Sequence, residues 1–364
     1  MTIKCDVLVV GGGPAGLSAA LTLVRKGDPS IVILEKKDIG GPTKLRYDIT
    51  EVDKETRKLL EDLDISPLKR TKVSEWFFQD KESVMESEVE DFYFLRGNGD
   101  SSIESFLVRK LKAVGVKILN KIDIKSIKVL DKKIEKLRIL HNGTDVEIKP
   151  TFVIASDGTF SFLREKLKVK KKILAKFKGV GMLFESDEED AIPHSRIYFD
   201  PDIAPGGYIY AGSVKRDVFF CLVVDCSLIK GEEKQLLDNL KLFLNRKYRK
   251  FLSRCKFKNY FGGVGISGNL KAIHGNVILI GDAALLHDPL FGYGLNYAIQ
   301  SGYYTGLAIR GDDIDIYSNY IGWLHTSFEK YFHTRNVWRK RERFFRDPKE
   351  FFENLLRLDA KRLS

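Results

Sequence analysis

The feature that most constrains this chain is a glycine pattern close to its N-terminus. CDVLVV, a short apolar run, leads directly into GGGPAG and then into LSAALTLVRKG. Gly11, Gly13 and Gly16 form a GxGxxG between a predicted strand and a predicted helix, with Pro14 and Ala15 completing the turn and Gly27 ending the helix. The first glycine allows the tight turn, the second lets a pyrophosphate approach the backbone, and the third lets helix and strand pack closely. The start of the helix offers free N–H groups and a positive dipole end to phosphates. SIVILEKK supplies the next strand, ending at Glu35, where a carboxylate can bind a ribose hydroxyl pair. Strand, glycine turn, helix, strand and acid in this order predict a doubly wound α/β fold with a parallel sheet that holds a dinucleotide.

A second GxGxxG, at Gly263, Gly265 and Gly268, lacks that context. GNLKAIHGN runs from it into another strand with no helical pattern and no terminal acid in the right place. It reads as a structural turn, which removes the best candidate for a separate nicotinamide-binding domain. Gly281-Asp282 follows the apolar strand VILI and precedes AALLHDPLFGYGLNYAIQSG. A carboxylate at such a strand end suits sugar hydroxyls. Gly292 and Gly294 let backbone come close to a planar ring, and the helix that follows points its positive end there.

Between these blocks the pattern changes. Residues 40–90 are mixed and polar, without a clear period, and SSIESFLVRKLKAVG is helical by spacing. VKILN reads as a strand. Three short β-like stretches follow at Ile122–Val129, Lys133–Leu140 and Asp145–Ile148, with a turn at Asn142-Gly143; TFVIAS is a further strand ending at Asp157-Gly158. From about Lys168 to Gly268, SRIYFD, GGYIYAG and DVFFCLVVD are aromatic and β-branched, which predicts a second, largely antiparallel sheet; Glu232–Tyr248 looks helical. The expected organisation is a discontinuous first domain (1–65, 95–165, 270–310), an inserted domain (66–94, 166–269) and a basic, aromatic, helical tail (311–364).

The formal charge of +11 admits nucleic acid, an anionic membrane or an acidic substrate as partner, or simply a lysine-rich surface. No nucleic-acid recognition module is visible, so nucleic acid is not expected. Cys5, Cys221, Cys226 and Cys255 form no CxxC pair and no zinc spacing, so no metal site is expected and the cysteines read as structural. The run from Asp6 to Val10 is too short for a signal peptide, and no stretch is long enough to span a bilayer, which predicts a cytoplasmic protein.

Three blocks, in order, resemble the large FAD family that includes aromatic hydroxylases, flavin halogenases and geranylgeranyl reductases: GGGPAG with Glu35, ASDGTFSFLRE with Asp157-Gly158, and GDAALLHDPLFGYGLN with Gly281-Asp282. The resemblance implies FAD as cofactor, Asp282 on its ribityl chain, and the loop Pro289–Asn296, including Leu295, against the pyrimidine edge of the flavin. It implies a cofactor contact for Arg96 as well. APGGYIYAG, Ala204 to Gly212, and AIQSG, Ala298 to Gly302, are similar to geranylgeranyl reductases, with Tyr208 and Tyr210 on one strand face as candidate substrate residues. Three positions depart from that group: Leu45 stands where a cysteine is common, Tyr210 where tryptophan is usual, and Gly212-Ser213 where Phe-Pro follows.

The resemblance thus implies reduction of isoprenoid double bonds of a lipid by hydride transfer from reduced flavin N5. An external donor, NAD(P)H, ferredoxin or a reductase, would supply the electrons. The alternatives are a flavin monooxygenase of an apolar or aromatic substrate and a flavoprotein without turnover. His287, beside the flavin loop, is a candidate for proton handling or a scaffold residue. The tail FEKYFHTRNVWRKRERFFR, with Phe332, Trp338, Phe344 and Phe345, suits a peripheral membrane helix or a helix packed on the protein.

Overall fold

The computed structural model describes residues 1–25, 29–39, 45–78, 81–229 and 233–340. Gly27, the glycine pair of the Ile39–Leu45 loop, and Phe344 and Phe345 of the tail lie outside these residues. The chain divides into two units. The first comprises Met1–Pro67, Phe94–Ala175 and Gly265–Glu329; the second comprises Leu68–Tyr93, Lys176–Val264 and the end of the last described helix from Lys330. Residues 315–329, expected in a separate tail, instead belong to the first unit. The reason is packing: in the helix Asp315–Lys340, Tyr317, Leu324 and Phe328 are fully buried, and the Tyr317 hydroxyl donates to the Leu279 carbonyl at 2.6 Å. Among the described residues no helix is long and apolar enough to cross a membrane.

The first unit is built on a sheet in the spatial order Ile273–His274, Val277–Leu279, Thr144–Ala155, Thr2–Val10, Ile31–Leu34, Lys117–Leu119. From Val277–Leu279 onward the neighbours are parallel, with Val7 opposite Ile31 and Phe152, and Leu279 opposite Ala155. Val7, Leu8, Val9, Ile33, Val153 and Ile154 are almost completely buried, as continuous apolar runs in a doubly covered parallel sheet must be. The helix Pro14–Val24 packs on the helix Leu295–Gly311. A side chain at Gly302 would stand 2.3 Å from the Ala15 carbonyl, and one at Gly306 would stand 2.6 Å from Thr22 Cβ. The glycine of AIQSG is therefore needed for two helix backbones to touch.

Two expected strands prove to be one. Asp145–Ile148 and TFVIAS form the single strand Thr144–Ala155, despite Pro150 in its middle. One edge pairs with Thr2–Val10 from Glu147 to Ala155. The other edge pairs with Lys133–His141 only as far as Ile148, and with Val277–Leu279 only from Val153. Pro150 falls in the gap between those partners, where its missing N–H removes no ladder bond. Asn276 fills the gap, donating to the Ile134 and Thr151 carbonyls at 3.0 Å.

The polar stretch 40–90, which showed no period, contains the strands Arg46–Val52 and Lys69–Phe78, the helix Lys54–Asp62 and the start of the long strand Lys81–Arg96. The second sheet runs in the order Lys256–Leu270, Lys171–Glu185, Asp217–Asp225, Tyr208–Val214, Ser195–Phe199, Lys69–Phe78, Lys81–Arg96, Arg46–Val52. It is antiparallel apart from the parallel pair Ser195–Phe199 with Lys69–Phe78 among the registers resolved. The second GxGxxG is corrected here. Gly263, Gly265 and Gly268 lie inside the 15-residue strand Lys256–Leu270 and not in a turn. Glycine-rich strands look like turns in sequence because glycine lacks the side chain that would mark a β period.

Candidate functional site

Sequence-marked glycines of the first unit gather at the ends of its parallel strands. Gly11 has φ +109° and donates its N–H to the Leu34 carbonyl at 2.8 Å; a Cβ there would lie 2.1 Å from the Ser156 carbonyl oxygen. Gly16 is as tightly enclosed: a Cβ there would lie 2.3 Å from the Gly11 carbonyl oxygen and 2.4 Å from Ser156 Oγ. Gly13, between them, has open space among the described residues where a side chain would stand. It precedes Pro14 at the first helical position, which needs no N–H, so the following amides of Ala15 and Gly16 are those the helix start presents. Two glycines are thus required by the fold and one leaves room in front of the helix. Gly158, with φ +84°, is also open.

Glu35 follows directly on the strand Ile31–Leu34 and is held in place by backbone. Its two carboxylate oxygens accept from the Gly12 N–H at 2.8 Å and the Lys37 N–H at 2.9 Å. The acid and the glycine loop are therefore one rigid assembly.

Asp157 serves its own loop. It accepts from Ser161 Oγ at 2.5 Å and from the Leu163 N–H at 3.0 Å, anchoring the short helix Phe162–Lys166. Burial raises its pKa, with those hydrogen bonds acting against the shift. Asp282 is the second residue of the turn Gly281–Ala284 and accepts from Thr159 Oγ1 at 3.0 Å. Arg164, buried, ties the two loops together: it donates to the Ala283 carbonyl at 2.9 Å and to the Thr159 carbonyl at 2.7 Å. Its importance was missed in the sequence, although it lies inside the ASDGTFSFLRE block; nothing local says that an arginine will face inward.

The next loop is closed by Asp288, whose Oδ1 accepts from the Leu290 and Phe291 N–H groups at 2.6 and 2.7 Å. Pro289 is buried, Gly292 has φ +79°, and Gly294 precedes the helix Leu295–Gly311, with Asn296 Oδ1 accepting from the Tyr297 N–H. His287 lies against this loop, with Nδ1 3.4 Å from Asp282 Oδ1.

Arg96 forms a buried network. Its Nε donates to Glu104 at 2.7 Å and its Nη1 to Asp48 at 2.6 Å. Burial opposes the charge of Asp48, but Arg46 and Arg96 hold its carboxyl below the usual range. Arg96 so joins the strand Arg46–Val52 to the helix Ile103–Ala113.

In the second unit Tyr208 and Tyr210 share one face of the strand Tyr208–Val214, with ring centroids 6.3 Å apart. Tyr208 meets Phe199, and Tyr210 meets Phe219. Tyr93 joins Phe219 in the same layer, and a Cβ at Gly212 would stand 2.8 Å from the Phe219 ring and 2.9 Å from the Tyr93 ring. The opposite face, with Ile209, Ala211, Phe220 and Leu222, packs on Leu236, Leu240 and Phe243 of the helix Glu233–Lys247. Near Tyr93, the Asp91 carboxyl accepts from Ser195 Oγ, and burial pushes its pKa up to about 6 against that bond. No sequence signal marked Asp91, because its partner is 104 residues away. The four cysteines are free, and burial, with Asp6 adding to it, pushes the Cys5 thiol up to about 11.

Comparison with known proteins gives this geometry a context. Residues 4–202 match the family described as FAD binding domain. A digeranylgeranylglycerophospholipid reductase of Methanosarcina mazei is 26% identical over 330 residues, covering 85% of this chain and 75% of the relative. A geranylgeranyl bacteriochlorophyll reductase-like protein from Thermoplasma acidophilum superposes with a TM-score of 0.77 at 21% identity, covering 93% of this chain and 88% of that one. A p-nitrophenol 4-monooxygenase from Pseudomonas putida superposes with a TM-score of 0.75 at 16% identity, covering 99% and 94%. At such identities the structural likenesses establish the fold.

Proposed function

The chain belongs to the FAD binding domain family and is an FAD-dependent oxidoreductase, and we propose that it saturates isoprenoid double bonds of a lipid. The observation that carries this reading is the aromatic layer of Tyr208, Tyr210, Phe199 and Phe219, in which Phe199, Phe219 and Tyr208 are buried and the partly exposed Tyr210 is the ring an apolar chain would meet. The 26% identical relative, whose name specifies a geranylgeranyl phospholipid, supports the same substrate class.

The residues present fit FAD. The open positions at Gly13 and Gly158 leave room for a diphosphate and its neighbouring sugar, where a side chain would intrude. Gly11, Pro14, Ala15 and Gly16 would present the helix start to the diphosphate. Glu35, oriented by the Gly12 and Lys37 amides, would accept from ribose hydroxyls. Asp157 and Gly158 shape the loop that carries Thr159, and Gly281 sets the turn from which Asp282 would hold the ribityl chain. Pro289, Gly292, Gly294, Leu295 and Asn296 would line the flavin edge, and the helix from Leu295 would favour negative charge there. Arg96 would support the site through Asp48 and Glu104. Bound FAD, once reduced by an external donor, supplies the hydride for the double bond. Tyr208 and Tyr210 would contact the hydrocarbon of the lipid.

The test is anaerobic: dithionite-reduced protein is mixed with a digeranylgeranyl phospholipid, and flavin absorbance is followed together with the lipid mass. Return of the oxidised spectrum with hydrogen pairs gained by the lipid is the expected result. A spectrum that stays reduced until air enters, with the lipid unchanged, overturns the reading. Oxygen consumption coupled to hydroxylation would replace it with a monooxygenase.

A further inference from the structure

The strand Lys256–Leu270 and the loop before the helix Leu295–Gly311 meet at one side chain, His287. A Cβ at Gly265 would stand 2.5 Å from His287 Cδ2, and one at Gly294 would stand 2.6 Å from its Nε2. Two glycines therefore clear space for the same edge of one imidazole. The second GxGxxG binds no phosphate in this reading; its middle glycine makes room for a ring. With that edge enclosed, the opposite edge faces the turn Gly281–Ala284. There Nδ1 is buried, has no hydrogen-bond partner among the described residues, and lies 3.4 Å from Asp282 Oδ1. A buried nitrogen left unpaired is a costly arrangement that a fold keeps only for a reason.

The other charged groups around it are already committed. Arg164 donates to backbone carbonyls of the same turn, and Asp288 accepts from the Leu290 and Phe291 amides. Asp282 also accepts from Thr159, which leaves its Oδ1 as the oxygen that faces the imidazole.

We propose that His287 is the redox-linked proton acceptor of the flavin site. Imidazole is the side chain suited to exchanging protons near neutral pH. With FAD bound, two-electron reduction would bring one proton to the cofactor, and His287 would take up a second at Nδ1. There the Asp282 carboxylate stabilises the imidazolium. Two electrons and two protons enter, and no bond to His287 other than N–H is formed. His287 acts by holding charge beside the cofactor and is not required to touch the substrate. The inference rests on FAD binding and not on the identity of the lipid.

The midpoint potential of the FAD-loaded protein, measured without lipid across neutral pH, tests it. Each proton taken up with two electrons contributes about 30 mV per pH unit. The wild-type slope is expected near about 60 mV per pH unit and the His287→Gln slope near about 30. Gly265→Ala, which keeps the histidine but pushes its ring aside, is expected to lower the slope as well. FAD stoichiometry and thermal unfolding identify any variant that fails to load, and Gly265→Ala then replaces the glutamine variant. Direct proton counting on photoreduction of the wild-type protein in weakly buffered solution gives a second readout, with two protons per flavin expected. A wild-type slope of about 30 mV, one proton per flavin, or equal slopes in wild type and both loaded variants would overturn the proposal. Lipid reduction plays no part in these measurements, so they fail or succeed apart from the reductase reading.

Discussion

Glycines at the strand ends of the first unit and glycines under the ring layers of the second serve different ends. In the first, glycines bring backbone to backbone: Gly11 to Ser156, Gly16 to Gly11, Gly302 to Ala15. In the second, they bring rings to the sheet: Phe261 lies over Gly181, and Phe219 and Tyr93 close over Gly212. The first arrangement makes a surface of N–H groups and dipoles, which suits a charged cofactor. The second makes a layer of apolar rings, which suits a hydrocarbon. Whether a glycine serves chemistry or packing is thus decided by what its missing side chain would have met.

Gly11→Ala should break this comparison most severely. Its Cβ would meet backbone at 2.1 Å with φ at +109°, and neither can relax. A loss of about 3 kcal/mol or more is expected, seen as a lowered denaturation midpoint and loss of FAD.

Asp91→Asn should move the second unit the other way. Because burial raises the Asp91 carboxyl to about 6, the folded chain binds more protons than the unfolded chain between about pH 4 and 6. The stability this gives is present below the unfolded value and lost as pH rises through 6. Asparagine retains an acceptor for Ser195 without the charge. It should raise stability at pH 8 by about 2 to 3 kcal/mol and much less at pH 4, by denaturant melts at both.

Gly212→Ala tests the ring layer. A methyl 2.8 Å from Phe219 and 2.9 Å from Tyr93 should destabilise by about 1 to 3 kcal/mol while FAD content stays normal.

Gly13→Ala sharpens the contrast within one loop. With open space and φ at −82°, it should change stability by less than about 0.5 kcal/mol. FAD affinity should nevertheless fall about tenfold or more, by titration of the apo protein with FAD, because the methyl enters the cofactor's room.

The first unit was the more legible. Its glycine turn and Glu35 stand at successive strand ends, so spacing places them together, while Asp282 was marked by its own strand end and by the family resemblance. Asp91 with Ser195, Arg96 with Asp48, and Arg164 with Ala283 were not legible, because each joins segments far apart in sequence. The stretch 40–90 concealed its strands for a related reason: Arg46–Val52 and Lys69–Phe78 alternate buried and partly exposed residues only loosely.

By itself, then, the sequence determined the parallel-sheet unit, the glycine turn with its acid, and the aromatic character of the second sheet, all from local periodicity and steric need. Tertiary structure alone decided that Asp145–Ile148 and TFVIAS are one strand, that the second GxGxxG is extended, and that Gly265 and Gly294 make room for His287. The physical reason is the same in each case. A glycine or proline permits several local conformations, and the neighbour that selects among them arrives from elsewhere in the chain.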